Sequence, residues 1–150
     1  MKVFGKSLSE YIAFQKIFLI ATAVVGLIRL GMSMAGVPDS IATYFSMTAV
    51  SLVGIVYYAI WVHIKGFGSY QHVFILLAIQ SGLANIIAAF GIAITAVTGV
   101  MNIFSTPEFA GAAEPWSHAA SHLVLGPTLI ALVYWIISLP LMFVTKKAAG

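Results

Sequence analysis

HVFILLAIQSGLANIIAAFGIAITAVTGVM, residues 72–101, decides the fold class. The stretch contains no Asp, Glu, Lys or Arg. A helix crosses the hydrocarbon core of a bilayer with about 20 mostly apolar residues, so this segment spans with turns to spare. Working outward, three more stretches qualify: about Leu8–Ala35, Ile41–Ile64 and Pro115–Val144. Between them lie Gly36-Val37-Pro38-Asp39-Ser40, a turn with a helix N-cap signal, and Lys65-Gly66-Phe67-Gly68-Ser69, a second short loop. Ser105-Thr106-Pro107 opens the one long loop, and Pro115 suits the first position of the fourth helix.

Composition agrees. Of 150 residues, 61% are hydrophobic and 7% charged, against about 45–50% and about 25% for a soluble domain. So little charge cannot cover a water-facing surface, and so much apolar sequence is not disordered. The net charge of +3 comes from seven cations without a basic patch, which argues against a nucleic-acid partner. Cysteine is absent, which removes disulfides, thiolate metal sites and thiol redox chemistry. The partner implied is the lipid bilayer. The expected fold is an all-α membrane protein, one transmembrane domain over residues 1–150, forming an antiparallel four-transmembrane-helix bundle.

Charge sets the expected orientation. Lys2, Lys6, Lys16, Lys65, Lys146 and Lys147 fall on one face of a four-span topology, while Asp39, Glu108 and Glu114 fall on the other. The positive-inside rule places both termini in the cytoplasm of a multi-pass protein of the cell (inner) membrane. Trp61 and Trp116, near span ends, read as interfacial anchors. Ser33-Met34-Ala35 has the small residues of a signal-peptide cleavage site, but the apolar stretch before it is long and interrupted by Arg29, so it is read as a span.

Small residues let helices approach closely in lipid. Span three carries Ala78, Ser81, Gly82, Ala84, Ala88, Ala89 and Gly91, and Thr22 with Gly26 forms a small-x-x-x-small pair on span one. Span three is therefore expected to be the central helix, with Gly82 at a tight contact. The same stripe would also serve a homo-oligomer or a larger membrane complex.

An ionisable group inside a span is costly and marks a functional candidate. Arg29 lies roughly 10 Å below the outer end of span one at 1.5 Å per residue, with no carboxylate in the core of any span. It can snorkel to the headgroups, pair with Asp39, Glu108 or Glu114, or meet a ligand oxygen. His122 on span four falls at the same depth, as do Ser46 and Thr48 on span two and Thr95 on span three. Together they would line an outer-leaflet pocket for an anion, a carboxylate or a quinone carbonyl, with Asn85 near the midplane as either interhelical glue or lining. The first and last helices of a short-looped bundle are expected to be neighbours, which would bring Arg29 and His122 together. Pro127, after Gly126, could open span four just below this level.

A second reading uses His118 and His122, four apart on one helix face, as half of a zinc or copper site with Glu114 on the same stripe. Glu114 and His122 are about 12 Å apart along the axis, so one ion cannot use all three. Met32, Met34, Met47 and Met101 concentrate toward the outer face, and thioether with imidazole suits Cu(I); ordinary packing also explains them. His63 and His72, at the edge of the bilayer, read as interfacial hydrogen-bonding groups rather than haem ligands. No hydrolase constellation and no phosphate loop is present. The sequence thus points to a ligand-binding or transport protein rather than an enzyme, with a metal- or redox-cofactor subunit and a structural subunit as alternatives.

Overall fold

The computed structural model describes residues 2–106 and 114–149. Glu108 and the side chain of Asp39, two of the carboxylates considered for Arg29, lie outside the described residues. Four helical stretches are long and apolar enough to cross a membrane: Leu8–Met34, Ser40–Ile64, Tyr70–Thr98 and Pro115–Ala148.

The chain opens with a feature the hydropathy pattern did not reveal. Strands β1 (Lys2–Val3) and β2 (Lys6–Ser7) pair antiparallel. Phe4 and Gly5 turn between them at φ 50° and 84°, the left-handed pair that tight hairpins require. Ser7 then caps helix α1 (Leu8–Met34): its Oγ accepts from the Glu10 N–H, and the Glu10 carboxylate accepts from the Ser7 N–H at 2.8 Å. This reciprocal capping box fixes where span one begins.

Span two is not one continuous helix from Ile41. A short helix α2 (Asp39–Ala42) is followed by a break, and α3 (Met47–Ile64) starts afresh because Ser46 caps it through the Ala49 N–H. Span three, α4 (Tyr70–Thr98), stops at Gly99, which takes φ 74°; Val100 and Met101 therefore belong to the loop. Span four comprises α5 (Pro115–Leu125), a five-residue π-helical turn (Gly126–Ile130) and α6 (Ala131–Ala149). Pro127 has no N–H to continue the α ladder, and the helix does widen there, with Gly126 O taken by the Ser81 hydroxyl at 2.6 Å. Past Pro140 the helix runs on beyond Val144.

Half of the most apolar window of α4 is buried, against 33% for span two and 17% for spans one and four. Span three is the central helix, as its small residues imply. The tight contacts are elsewhere than at Gly82, however. A Cβ at Gly54 would stand 2.6 Å from Gln80 Oε1, one at Gly91 would stand 2.7 Å from the Phe104 ring, and one at Gly126 would collide with the Asn85 amide, whereas at Gly82 the nearest atom is Pro127 Cβ at an ordinary 3.6 Å.

The expected contact between spans one and four is also corrected. Helix α1 packs on α4 and α3; α5 packs on α4, and α6 packs on α3 and α4. Among the described residues, no part of span four packs along span one, because α4 lies between them. Span four changes neighbour along its length: its first part rests on span three and its last part leans on span two, with the π turn between.

Side-chain bonds tie the ends of the helices together. At one end, the Ile103 N–H donates to Ser33 Oγ at 2.8 Å, and an Arg29 amino group donates to Phe45 O at 3.3 Å. At the other, the Trp135 indole donates to Tyr70 O at 2.8 Å and the Thr145 hydroxyl to Ala59 O at 2.8 Å. Lys65 lies over the Trp61 ring and Lys146 over Tyr70 at this second, lysine-bearing end. The principal apolar core is here too, around Tyr11, Tyr58, Val62, Val73, Leu76 and Met142.

Candidate functional site: a polar cavity among four spans

A cavity of about 290 Å³ lies toward the end opposite the lysines. All four spans contribute: Arg29 from α1; Met47, Thr48 and Ser51 from α3; Ser81, Ala84, Asn85 and Ala88 from α4; His122, Ile130 and Tyr134 from span four. Arg29 and His122 thus line one cavity although their helices do not pack along each other among the described residues.

The cation is incompletely satisfied. One Arg29 amino nitrogen reaches Phe45 O, a carbonyl free because the chain breaks between α2 and α3. Arg29 Nε is buried and finds no hydrogen-bond partner among the described residues. Leaving a buried donor of a charged group unpaired is expensive, so a ligand oxygen at this wall would gain more than one at a solvated surface.

His122 is held from below. Its Nδ1 lies 2.7 Å from Asn85 Oδ1, and the Asn85 amide nitrogen donates to Ser81 O at 2.9 Å. That second bond orients the amide with its oxygen toward the imidazole, so Nδ1 carries the proton. Asn85 is therefore both interhelical glue and cavity wall. Ser51 and Ser81 spend their hydroxyl protons on Met47 O and Gly126 O.

Two residues matched to this depth stand outside the wall. Ser46 is occupied as the cap of α3. Thr95 donates to Val100 O at 2.7 Å and meets Ser105 at 2.8 Å, which ties down the loop that follows α4. That loop roofs the cavity. The Asn102 amide donates to Gly91 O at 2.7 Å, its oxygen accepts from the Phe104 N–H, and Ile103 and Phe104 close the cavity from above.

The rings of His118 and His122 lie 5.0 Å apart, and the Nδ1 of His122 is taken by Asn85. Glu114 caps α5 through the Ser117 N–H at 3.0 Å. Among the described residues, no three of His, Asp and Glu gather where an ion could sit. Met47 lines the cavity and Met142 is buried far from it, accepting from Ser138. At the lysine end, His72 accepts from the Ser69 N–H and bonds Phe4 O at 3.1 Å, while His63 stands edge-on to Tyr70.

A second polar cluster escaped the sequence reading. Tyr58 donates to Gln80 Oε1 at 2.8 Å, and Gln80 Nε2 donates to Thr22 at 3.4 Å. The Gln15 amide oxygen stands 3.2 Å from the same Tyr58 hydroxyl, while Gln15 Nε2 has no partner among the described residues. Tyr58 has one proton to give; turning the Gln15 amide over would present its NH₂ to the phenol lone pair and satisfy both groups. All four residues are buried.

Comparison with protein-family models, curated proteins and solved structures finds no match to this chain.

Proposed function

We propose that this chain is a multi-pass cell-membrane protein, an antiparallel bundle with both termini in the cytoplasm, which binds a small anionic or carbonyl-bearing ligand between Arg29 and His122. The orientation rests on the lysine asymmetry, and the antiparallel arrangement on the side-chain bonds that join alternate helix ends. The observation that carries the binding reading is the Arg29 Nε, buried and without a partner among the described residues, on the wall of a cavity also lined by His122, Asn85 and Tyr134. An apolar cavity with a few convergent polar groups is the usual form of a small-molecule site. About 290 Å³ corresponds to roughly ten waters at about 30 Å³ each, room for one substituted ring or a short carboxylate.

Two measurements test the proposal. The chain has no native cysteine, so single cysteines at Lys65 and Met101 can be labelled in intact cells; Met101 should react with an impermeant reagent and Lys65 should not, and labelling of both from one side refutes the orientation. For binding, purified protein is titrated with benzoate, palmitate and decylubiquinone. Saturable stabilisation by at least one, lost in Arg29→Leu and kept in Thr95→Ser, is expected. No stabilisation by any of the three overturns the site.

A further inference from the structure

Resting on that reading of the cavity, we infer that its ligand is a membrane-dissolved amphiphile, whose oxygen-bearing head reaches Arg29 sideways from the bilayer between span two and the first part of span four while its tail stays in lipid.

Three independent features converge on this. First, the described part of the loop after α4 covers the cavity on the side away from the lysines. Ile103 and Asn102 are 9% and 2% exposed, and the roof is pinned to two different helices, by the Ile103 N–H on Ser33 Oγ and the Asn102 amide on Gly91 O. Second, the side is not sealed by helix packing. Helix α5 rests on α4, and only after the π turn does α6 lean on α3. Spans two and four therefore meet toward the lysine end and part toward the cavity end. Thr48, on the wall, is exposed, as is Leu52 one turn further along α3. A gap there opens on the flank of the bundle, along the first turns of α3, and not through the roof.

Third, the chemistry of the wall is divided. Arg29, Asn85, His122 and Tyr134 supply polar groups, while Met47, Ala84, Ala88, Ile103, Phe104 and Ile130 are apolar. A freely hydrated anion would lose its shell on entering such a site and regain one guanidinium. An amphiphile already in the bilayer has left most of its hydration behind, so the same Arg29 contact is a larger net gain. The cavity volume admits a head group but not a long chain, which leaves the gap as the place for the tail.

The test uses the whole protein in lipid nanodiscs with two probe pairs of matched head: decylubiquinone with its tailless benzoquinone, and palmitate with acetate. Concentrations of the tailed probes are referred to the lipid phase. A tailed probe should bind, Thr48→Trp should slow its association at least tenfold, and Ser33→Ala, which unpins the roof from α1 without touching the cavity wall, should leave that rate unchanged. Leu52→Trp, further along the same face, provides a second obstruction should Thr48→Trp not fold. If a tailless probe binds as tightly, with association hastened by Ser33→Ala and indifferent to Thr48→Trp, the lateral route is wrong and the site stands. If no member of either pair binds the wild-type protein, the site itself fails and the inference falls with it.

Discussion

Asn85 Oδ1 accepts the Nδ1 proton of His122 at 2.7 Å, and this bond fixes the imidazole between spans three and four. With Nδ1 committed as donor, a neutral ring leaves Nε2 as an acceptor. Arg29, by contrast, can only donate. The cavity therefore offers groups of opposite hydrogen-bonding sense.

Asn85→Asp should keep the bond to His122 while adding a negative charge to the wall that Arg29 shares. An internal carboxylate competes with a ligand carboxylate for the guanidinium. Palmitate binding should fall at least tenfold in nanodisc titrations, and decylubiquinone binding should fall less. Equal loss of both would mean that the substitution damages the site rather than its charge.

Arg29→Leu should leave the fold intact. The one hydrogen bond it forfeits among the described residues is that to Phe45 O at 3.3 Å, and removing a partly buried charge that pairs with no carboxylate among the described residues costs little. Thermal unfolding should stay within about 1 kcal/mol of wild type. Loss of the folded state on this substitution would give Arg29 a structural role.

Gly54→Ala and Gly82→Ala should separate sharply. The added methyl at Gly54 meets the pinned Gln80 amide at 2.6 Å, whereas at Gly82 it finds ordinary contact with Pro127. Overpacking of this kind costs about 1–3 kcal/mol. Gly54→Ala should lower the melting temperature and Gly82→Ala should not; the reverse order would contradict the packing described.

Four spans and a central third helix were legible because length, hydropathy and small-residue content are local properties of the chain. Helix rise alone set Arg29 and His122 at one level along their spans, and both line one cavity. Which helices touch did not follow, because rise carries no information on lateral placement; spans one and four turned out to be separated by α4. Ser46 and Thr95 sit near that level but are spent on a helix cap and a loop. Gln15 and Tyr58 passed unnoticed because neither is charged, and only the packing of three helices makes their meeting visible. The hairpin at Phe4-Gly5 was hidden by its brevity.

Tyr58→Phe should destabilise by about 1 kcal/mol, the scale of interhelical hydrogen bonds in membranes. The phenol donates to Gln80 and faces Gln15, so its removal leaves two buried amides short of a partner. Reversible denaturation in mixed micelles can measure this; an unchanged midpoint would show that the amides find each other instead.

His72→Leu should free the N-terminal hairpin. His72 bonds Phe4 O, and Tyr11 bonds Val3 O at 3.1 Å; losing the first leaves one tether. Trypsin should then cut after Lys6 faster than in wild type. An unchanged cleavage rate would show that the capping box at Ser7 holds the segment alone.

The Gln15–Tyr58–Gln80–Thr22 cluster draws on spans one, two and three and on nothing from span four. Apolar helices in lipid slide and rotate easily against one another, since tails and side chains are equally oily. Four buried polar residues whose hydrogen bonds close in one register restrict that freedom. The consequence is an order of assembly. During synthesis the first three spans can lock before the fourth has left the ribosome, and α5 with α6 then settles onto a finished three-helix template. The polar cavity is completed only at that last step, when His122 arrives opposite Arg29.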